Sequence, residues 1–166
     1  MSPPAVFVRS MKTLLRRRVL APLFGLTLVE IQFFPPTRNL GSAEGPDDIS
    51  HKAAVPADVH RLLAEACYDC HSNRTRYPWY AGVQPVGWWL NHHVHEGKRE
   101  LNFSQFGAYP AKRAARKLDA IVDEVEHGDM PLRSYAWMHP AARLTATERK
   151  MITTWAEALH DKIQPD

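Results

Sequence analysis

Pro110-Ala-Lys-Arg-Ala-Ala-Arg-Lys-Leu-Asp-Ala-Ile-Val-Asp-Glu-Val-Glu-His-Gly128 is the clearest helix in the chain. Ala111, Ala114, Ala115, Leu118, Ile121, Val122 and Val125 recur at spacings of three and four, which gathers them on one face. Pro110 suits the entry to a helix, and Gly128 falls where a C-terminal cap is expected. Lys112, Arg113, Arg116 and Lys117 are balanced by Asp119, Asp123, Glu124 and Glu126, so the opposite face is solvated. A helix with one apolar face needs a partner to bury it. Downstream, Thr145-Ala-Thr-Glu148 forms a capping-box sequence, and Met151, Ile152, Trp155, Ala156 and Leu159 turn inward behind it. Upstream, Pro56 opens a helix whose Val59, Leu62, Leu63 and Ala66 share a face that runs into Cys67. A shorter helix is expected over 86–97. No strand alternation of comparable quality and no internal repeat is present, so the fold class is all-α.

The 166 residues, 45% hydrophobic and 23% charged, predict one small domain with a packed core. The pI near 9.0 suggests nucleic acid until the charge is divided along the chain. Residues 1–38 hold six basic side chains, Arg9, Lys12, Arg16, Arg17, Arg18 and Arg38, against the single acid Glu30. The rest holds 15 basic and 17 acidic residues, a net charge of −2. Such a body lacks the cationic face that competes for phosphate backbones, and nucleic-acid binding is excluded as an expected role.

Behind the Arg16-Arg17-Arg18 cluster runs an apolar stretch from Val19 to Phe34, broken only by Pro22, Gly25, Thr27, Glu30 and Gln32. Its sixteen residues reach roughly 24 Å as a helix, short of the ~30 Å hydrocarbon core. The positive-inside rule keeps the arginines in the cytoplasm and sends the remainder across the membrane. Two fates follow: an uncleaved signal anchor, which is favoured, or a signal peptide with its apolar region at Val19 to Val29 and a cleavage candidate at Gly41-Ser42-Ala43. A buried core helix is disfavoured by Pro22, Gly25 and the triple arginine. Residues 1–36 are therefore expected to be a membrane anchor helix. Residues 37–54, rich in Pro, Gly, Ser and Asp without an apolar period, read as a linker, and 55–164 as the functional domain.

The only two cysteines stand in Cys67-Tyr-Asp-Cys70-His71, the attachment signature of c-type haem. Two thiols three residues apart can add to the two vinyl groups of one haem, and the adjoining His71 becomes the proximal iron ligand. Attachment takes place after export, in agreement with the leader. A disulfide closing so short a loop does little for a fold. A thioredoxin-like pair wants a βαβ setting, and a structural zinc site wants a second pair of ligands that is not placed here. The expected cofactor is one covalent haem c.

At these residues the chain resembles the bacterial haem-binding domain family of small membrane-anchored c-type cytochromes. The marks are Ile31-Gln-Phe-Phe-Pro-Pro-Thr-Arg38, Ala66-Cys-Tyr-Asp-Cys-His-Ser-Asn73, Thr75-Arg-Tyr-Pro-Trp-Tyr80, Glu96-Gly97, Leu101-Asn-Phe-Ser104, Gly128-Asp-Met-Pro-Leu132, Tyr135 and His139-Pro-Ala-Ala-Arg-Leu144. The resemblance runs almost end to end and implies a haem c fold with periplasmic exposure. Where a tryptophan is expected after Asn-Phe-Ser, the chain carries Phe106, a difference of local packing. Together with the leader, it gives a small cytochrome c-like helical domain on a single-pass anchor in the bacterial inner membrane, facing the periplasm.

The sixth iron ligand separates an electron carrier from a small-molecule site. Met130 is the first candidate: it follows the long helix and precedes Pro131, a position that resembles the methionine loop of small class I cytochromes c. His92, in Asn91-His-His-Val-His95, is the alternative and looks like a histidine typical of the family. His93 and His95 point elsewhere on the helix, and His139 is either a structural histidine or a donor behind the ligands. Trp79, Trp88, Trp89, Tyr77 and Tyr80 form the densest aromatic patch, from which Trp79 and Trp88 are expected to wall the haem. Arg76 is a candidate partner for a propionate. The expected function is one-electron transfer to a redox partner protein in the cell envelope. The alternatives are a haem-based gas or redox sensor with an open sixth position, and peroxidase-like chemistry with His92 or His139 as acid/base.

Overall fold

The computed structural model describes residues 5–164, with side chains from Arg16 onward. The first four residues of the expected anchor and the side chains of Arg9 and Lys12 lie outside the described residues. Every regular element described is helical: α1 (Ala5–Glu30), α2 (Ile49–Lys52), α3 (Ala57–Ala66), α4 (Tyr68–His71), α5 (Val86–Glu100), α6 (Ala111–His127), α7 (Arg133–Met138) and α8 (Ala146–Ile163), with short 3-10 turns between them. One isolated bridge joins Leu40 and Arg74. The chain divides into two compact units, one of residues up to Thr37 with Pro78–Leu90, the other of Arg38–Tyr77 with the chain from Asn91 onward.

In the second unit, α6 lies along α8, and α3 packs on α8 and on the 3-10 turn Pro140–Ala142. Leu118, Ile121 and Val125 of α6 meet a core that contains Ile152, Trp155 and Ala156 of α8 and Val59, Leu62 and Leu63 of α3. The helix ends follow the expected chemistry. Gly128 closes α6 at φ 77°, a left-handed turn that only glycine adopts without strain. At α8 the Glu148 amide donates to Thr145 Oγ1 (3.2 Å) while the Thr145 amide donates to Glu148 Oε2 (2.8 Å), closing both halves of the capping box. Helix α5 continues to Glu100, beyond its expected end at 97.

One expectation is corrected. Residues 37–54 are not a free linker: from Arg38 they belong to the second unit, with Asp48 and Ile49 fully buried and Asp48 capping α2 through the Ser50 amide at 2.9 Å. A single apolar residue among polar ones carries no period, which is why the packing was not legible. As for the expected anchor, among the described residues no helix is long and apolar enough to cross a membrane. Helix α1 ends at Glu30, and between Arg18 and Glu30 only eleven uncharged residues remain, roughly 16 Å. Within the first unit, Gln32 exchanges hydrogen bonds with the Gln84 backbone and the Trp88 indole N–H donates to the Phe34 carbonyl.

Candidate functional site

Helix α3 carries its apolar face up to Ala66, and Cys67 then leaves helical geometry at φ −126°, ψ −41° to cap the single turn of α4. The amides of Cys70 and His71 both donate to the Cys67 carbonyl, at 3.2 and 2.9 Å. That turn draws the three motif side chains together. Against it lies α5, and the close approach requires Gly97: a Cβ there would stand 2.8 Å from the Cys70 carbonyl oxygen and 3.1 Å from the Cys70 Cβ.

His71 is held in one tautomer. Its Nδ1 lies 3.1 Å from the Leu101 carbonyl, an acceptor only, so Nδ1 carries the proton and donates, leaving Nε2 with a lone pair. Burial pushes the imidazole below its ordinary pKa against the opposing pull of the Leu101 and Gly97 carbonyls, which keeps the ring neutral. The edge of the ring meets Phe103 at 6.5 Å between centroids, and Phe103 stacks on Tyr68 at 5.2 Å. Both cysteines are free thiols. Burial raises Cys67 to about 12, with Cys70 adding to the effect, and raises Cys70 to about 11, with Asp69 adding.

A cavity of about 300 Å³ opens beside the motif, walled by Cys67, Cys70 and His71 on one side, His92, His93 and Gly97 of α5 on another, and Met130, Pro131, Leu132 and Tyr135 on a third. A second cavity of about 200 Å³ shares Cys67, His71, Met130 and Pro131 with it and continues toward Phe103, Ile121 and Val125. Met130 reaches this place because the chain, having left α6 at Gly128, turns back with the Met130 amide bound to the Glu124 carbonyl at 3.0 Å.

The structure thus brings Cys67, Cys70, His71, Met130 and His92 to the walls of one cavity. His93 lines it too, whereas His95 is largely exposed. Trp79 and Trp88 are not among the residues that line either cavity; they belong to the first unit, where Trp79 is 85% exposed and Trp88 is bound to Phe34. They cluster in sequence because the loop is aromatic, and sequence density does not report direction. Arg76 is engaged by a carboxylate of the chain itself. Its backbone N–H and Nε donate to Asp69 Oδ1 at 2.9 and 3.1 Å, and one terminal nitrogen donates to Asp69 Oδ2 and the Ala64 carbonyl.

Sequence reading gave Asp69 no role of its own and named Tyr135 only as a mark of the resemblance. Asp69, 5% exposed, takes the Tyr135 hydroxyl hydrogen bond at 2.6 Å as well as Arg76, which ties the motif turn to α7. Burial, followed by that hydrogen bond and the Asp69 charge, pushes the Tyr135 hydroxyl well above the ordinary tyrosine range. His139 stacks on the Tyr135 ring at 4.1 Å and contacts the Tyr135 carbonyl through Nδ1 at 3.0 Å. The one available signal for Asp69 was its place inside the cysteine pair.

The donor set fits a haem: a buried neutral imidazole with its tautomer pinned, two thiols one turn away, and a thioether across an apolar cavity. Among the described residues no group of three His, Cys, Asp or Glu side chains is arranged to hold a bare metal ion. No match was found among curated proteins or among solved structures. The family model described as haem-binding domain matches residues 26–158, which is most of the chain and takes in every wall of the cavity. By that match the chain belongs to the haem-binding domain family.

Proposed function

We propose that this chain is an exported, membrane-tethered monohaem c-type cytochrome that carries single electrons in the cell envelope. The observation that carries the reading is the common cavity of Cys67, Cys70, His71 and Met130. When bound, haem supplies a one-electron iron couple. In this reading Cys67 and Cys70 hold it as thioethers, and His71 Nε2 is the proximal ligand. The Leu101 carbonyl fixes the His71 ring and raises its donor strength. Met130 lines both parts of the cavity together with His71, whereas His92 lines only one, which favours the methionine as the distal ligand. A closed, two-ligand site suits electron transfer, since neither ligand has to leave for an electron to pass.

The arginines of the leader stay cytoplasmic and the body faces the periplasm of a bacterial inner membrane. The net −2 of the body favours a redox partner with a cationic docking face, in which case association slows as salt is added.

Replacing Cys67 and Cys70 by alanine abolishes the haem stain that survives a denaturing gel; a persisting stain would overturn covalent attachment. The ferric wild type shows a far-red sulfur-to-iron band that Met130→Ala removes. If the band is absent from the wild type and carbon monoxide binds the reduced protein, the sixth position is open and a sensor or peroxidase-like role takes precedence.

A further inference from the structure

The aromatic loop that the cavity leaves unused has its own surroundings. Trp79 is 85% exposed, and Val83, Val86, Trp88 and Trp89 are between 38% and 50% exposed. Large apolar side chains in such density are uncommon on a surface that meets only water. They belong to one unit with α1, whose Val19, Leu20, Leu23, Phe24, Leu26 and Val29 are also exposed, as are Phe33 and Phe34 just beyond its end.

The polar backbone where α1 meets this loop is satisfied from within. The Gln32 amide donates to the Leu28 carbonyl at 2.8 Å and to the Gln84 carbonyl at 3.0 Å, and its oxygen accepts the Gln84 amide at 2.9 Å. The Trp88 indole N–H, the only polar atom of that side chain, donates to the Phe34 carbonyl at 2.7 Å. Where a chain enters hydrocarbon, groups that lose water need such partners. At the opposite side of the apolar stretch stand Arg16, Arg17 and Arg18, complementary to anionic lipid head groups.

We propose that the loop Pro78–Leu90 inserts into the head-group layer of a lipid bilayer, with Trp79, Val83 and Trp88 as its contacts. The occupant of this surface is lipid rather than a protein: an apolar helix, a cationic cluster before it and tryptophans after it match the layers of a bilayer in order. The inference rests on the reading that the leader enters the membrane. The loop supplies an aromatic girdle joined by hydrogen bonds to Gln32 and Phe34, just beyond the end of α1.

The test is photolabelling of the full-length holoprotein in phosphatidylethanolamine–phosphatidylglycerol vesicles that contain a phosphatidylcholine bearing a diazirine near its head group. After irradiation and digestion, lipid adducts are located by mass spectrometry. Adducts on both 19–34 and 79–89, with none on the 111–127 helix, are the expected result. Adducts on 19–34 alone would overturn the loop proposal and leave the leader reading intact. Adducts on neither segment would overturn both, and adducts spread equally over 111–127 would reduce the loop to one surface among many and overturn its specific role. A Trp79→Ser, Val83→Ser double variant loses the 79–89 adducts while keeping those on 19–34; unchanged adducts on the loop would also count against the proposal.

Discussion

At the scale of single residues, the site depends on side chains that touch the motif without belonging to it. Tyr135 spans from α7 to the buried Asp69, and Arg76 balances the same carboxylate from the other side. Tyr135→Phe removes one hydrogen bond to a buried charged group, which costs about 1.5–3 kcal/mol in a denaturant titration. Its visible spectrum is the more telling readout, because α7 follows the Met130 segment and, on the proposed ligation, a loosened Tyr135 weakens the bond from Met130. His71 makes a pH prediction. Its folded pKa lies below the ordinary 6.5, so the unfolded chain takes up a proton first as the solution is acidified. The stabilisation from the neutral ring is complete above pH 6.5 and is lost as pH falls toward the depressed folded value. Urea midpoints of the haem-free chain fall across that window, and His71→Gln flattens the dependence.

At the scale of elements, the helices that bury one face were legible from spacing alone. Helix α6 begins after Pro110 and ends at Gly128 as written in the sequence, and the α8 box closes as its Thr-x-x-Glu pattern implies. Helix α5 was less so, since its apolar pattern is short and its most consequential residue, Gly97, has no side chain to read. Gly97→Ala adds the usual helical gain of up to about 1 kcal/mol but drives a methyl into the Cys70 backbone. The clash dominates, and a net loss of about 1–3 kcal/mol is expected with a changed haem spectrum. Gly25→Ala is the control, because nothing lies within 4 Å of its added Cβ, and it leaves the spectrum unaltered.

At the scale of the whole molecule, the segment taken for a linker belongs to the body. Ile49 sits in the same buried cluster as Phe103 and Leu118, and the Ser104 hydroxyl donates to the Ala43 carbonyl at 2.5 Å. Isolated contacts of this kind leave no periodic trace, unlike the faces of α3, α6 and α8. The site divided in the same way: Cys67, Cys70 and His71 announced themselves by spacing, whereas Asp69 and Tyr135 meet only once the chain has folded back over 66 residues. A chain begun at Arg38 keeps the entire buried cluster. It is expected to retain a cooperative unfolding transition by circular dichroism and to lose sedimentation with vesicles. Loss of cooperativity would place part of the core in the leader.

The protonated thiols bear on the order of assembly. Cys67 and Cys70 are half-buried and share their cavity with α5 and the chain after α6, and burial raises both thiols to about 12 and about 11, which keeps them protonated near neutral pH. A neutral, half-buried thiol reacts more slowly than an exposed thiolate, so on the c-type reading the thioethers form more readily while the chain is still open. Folding and cofactor loading then compete in time. A molecule that folds first becomes a compact but barren product, its own stability guarding it against late repair. On the same reading, such a chain gains from being held unfolded until its haem arrives.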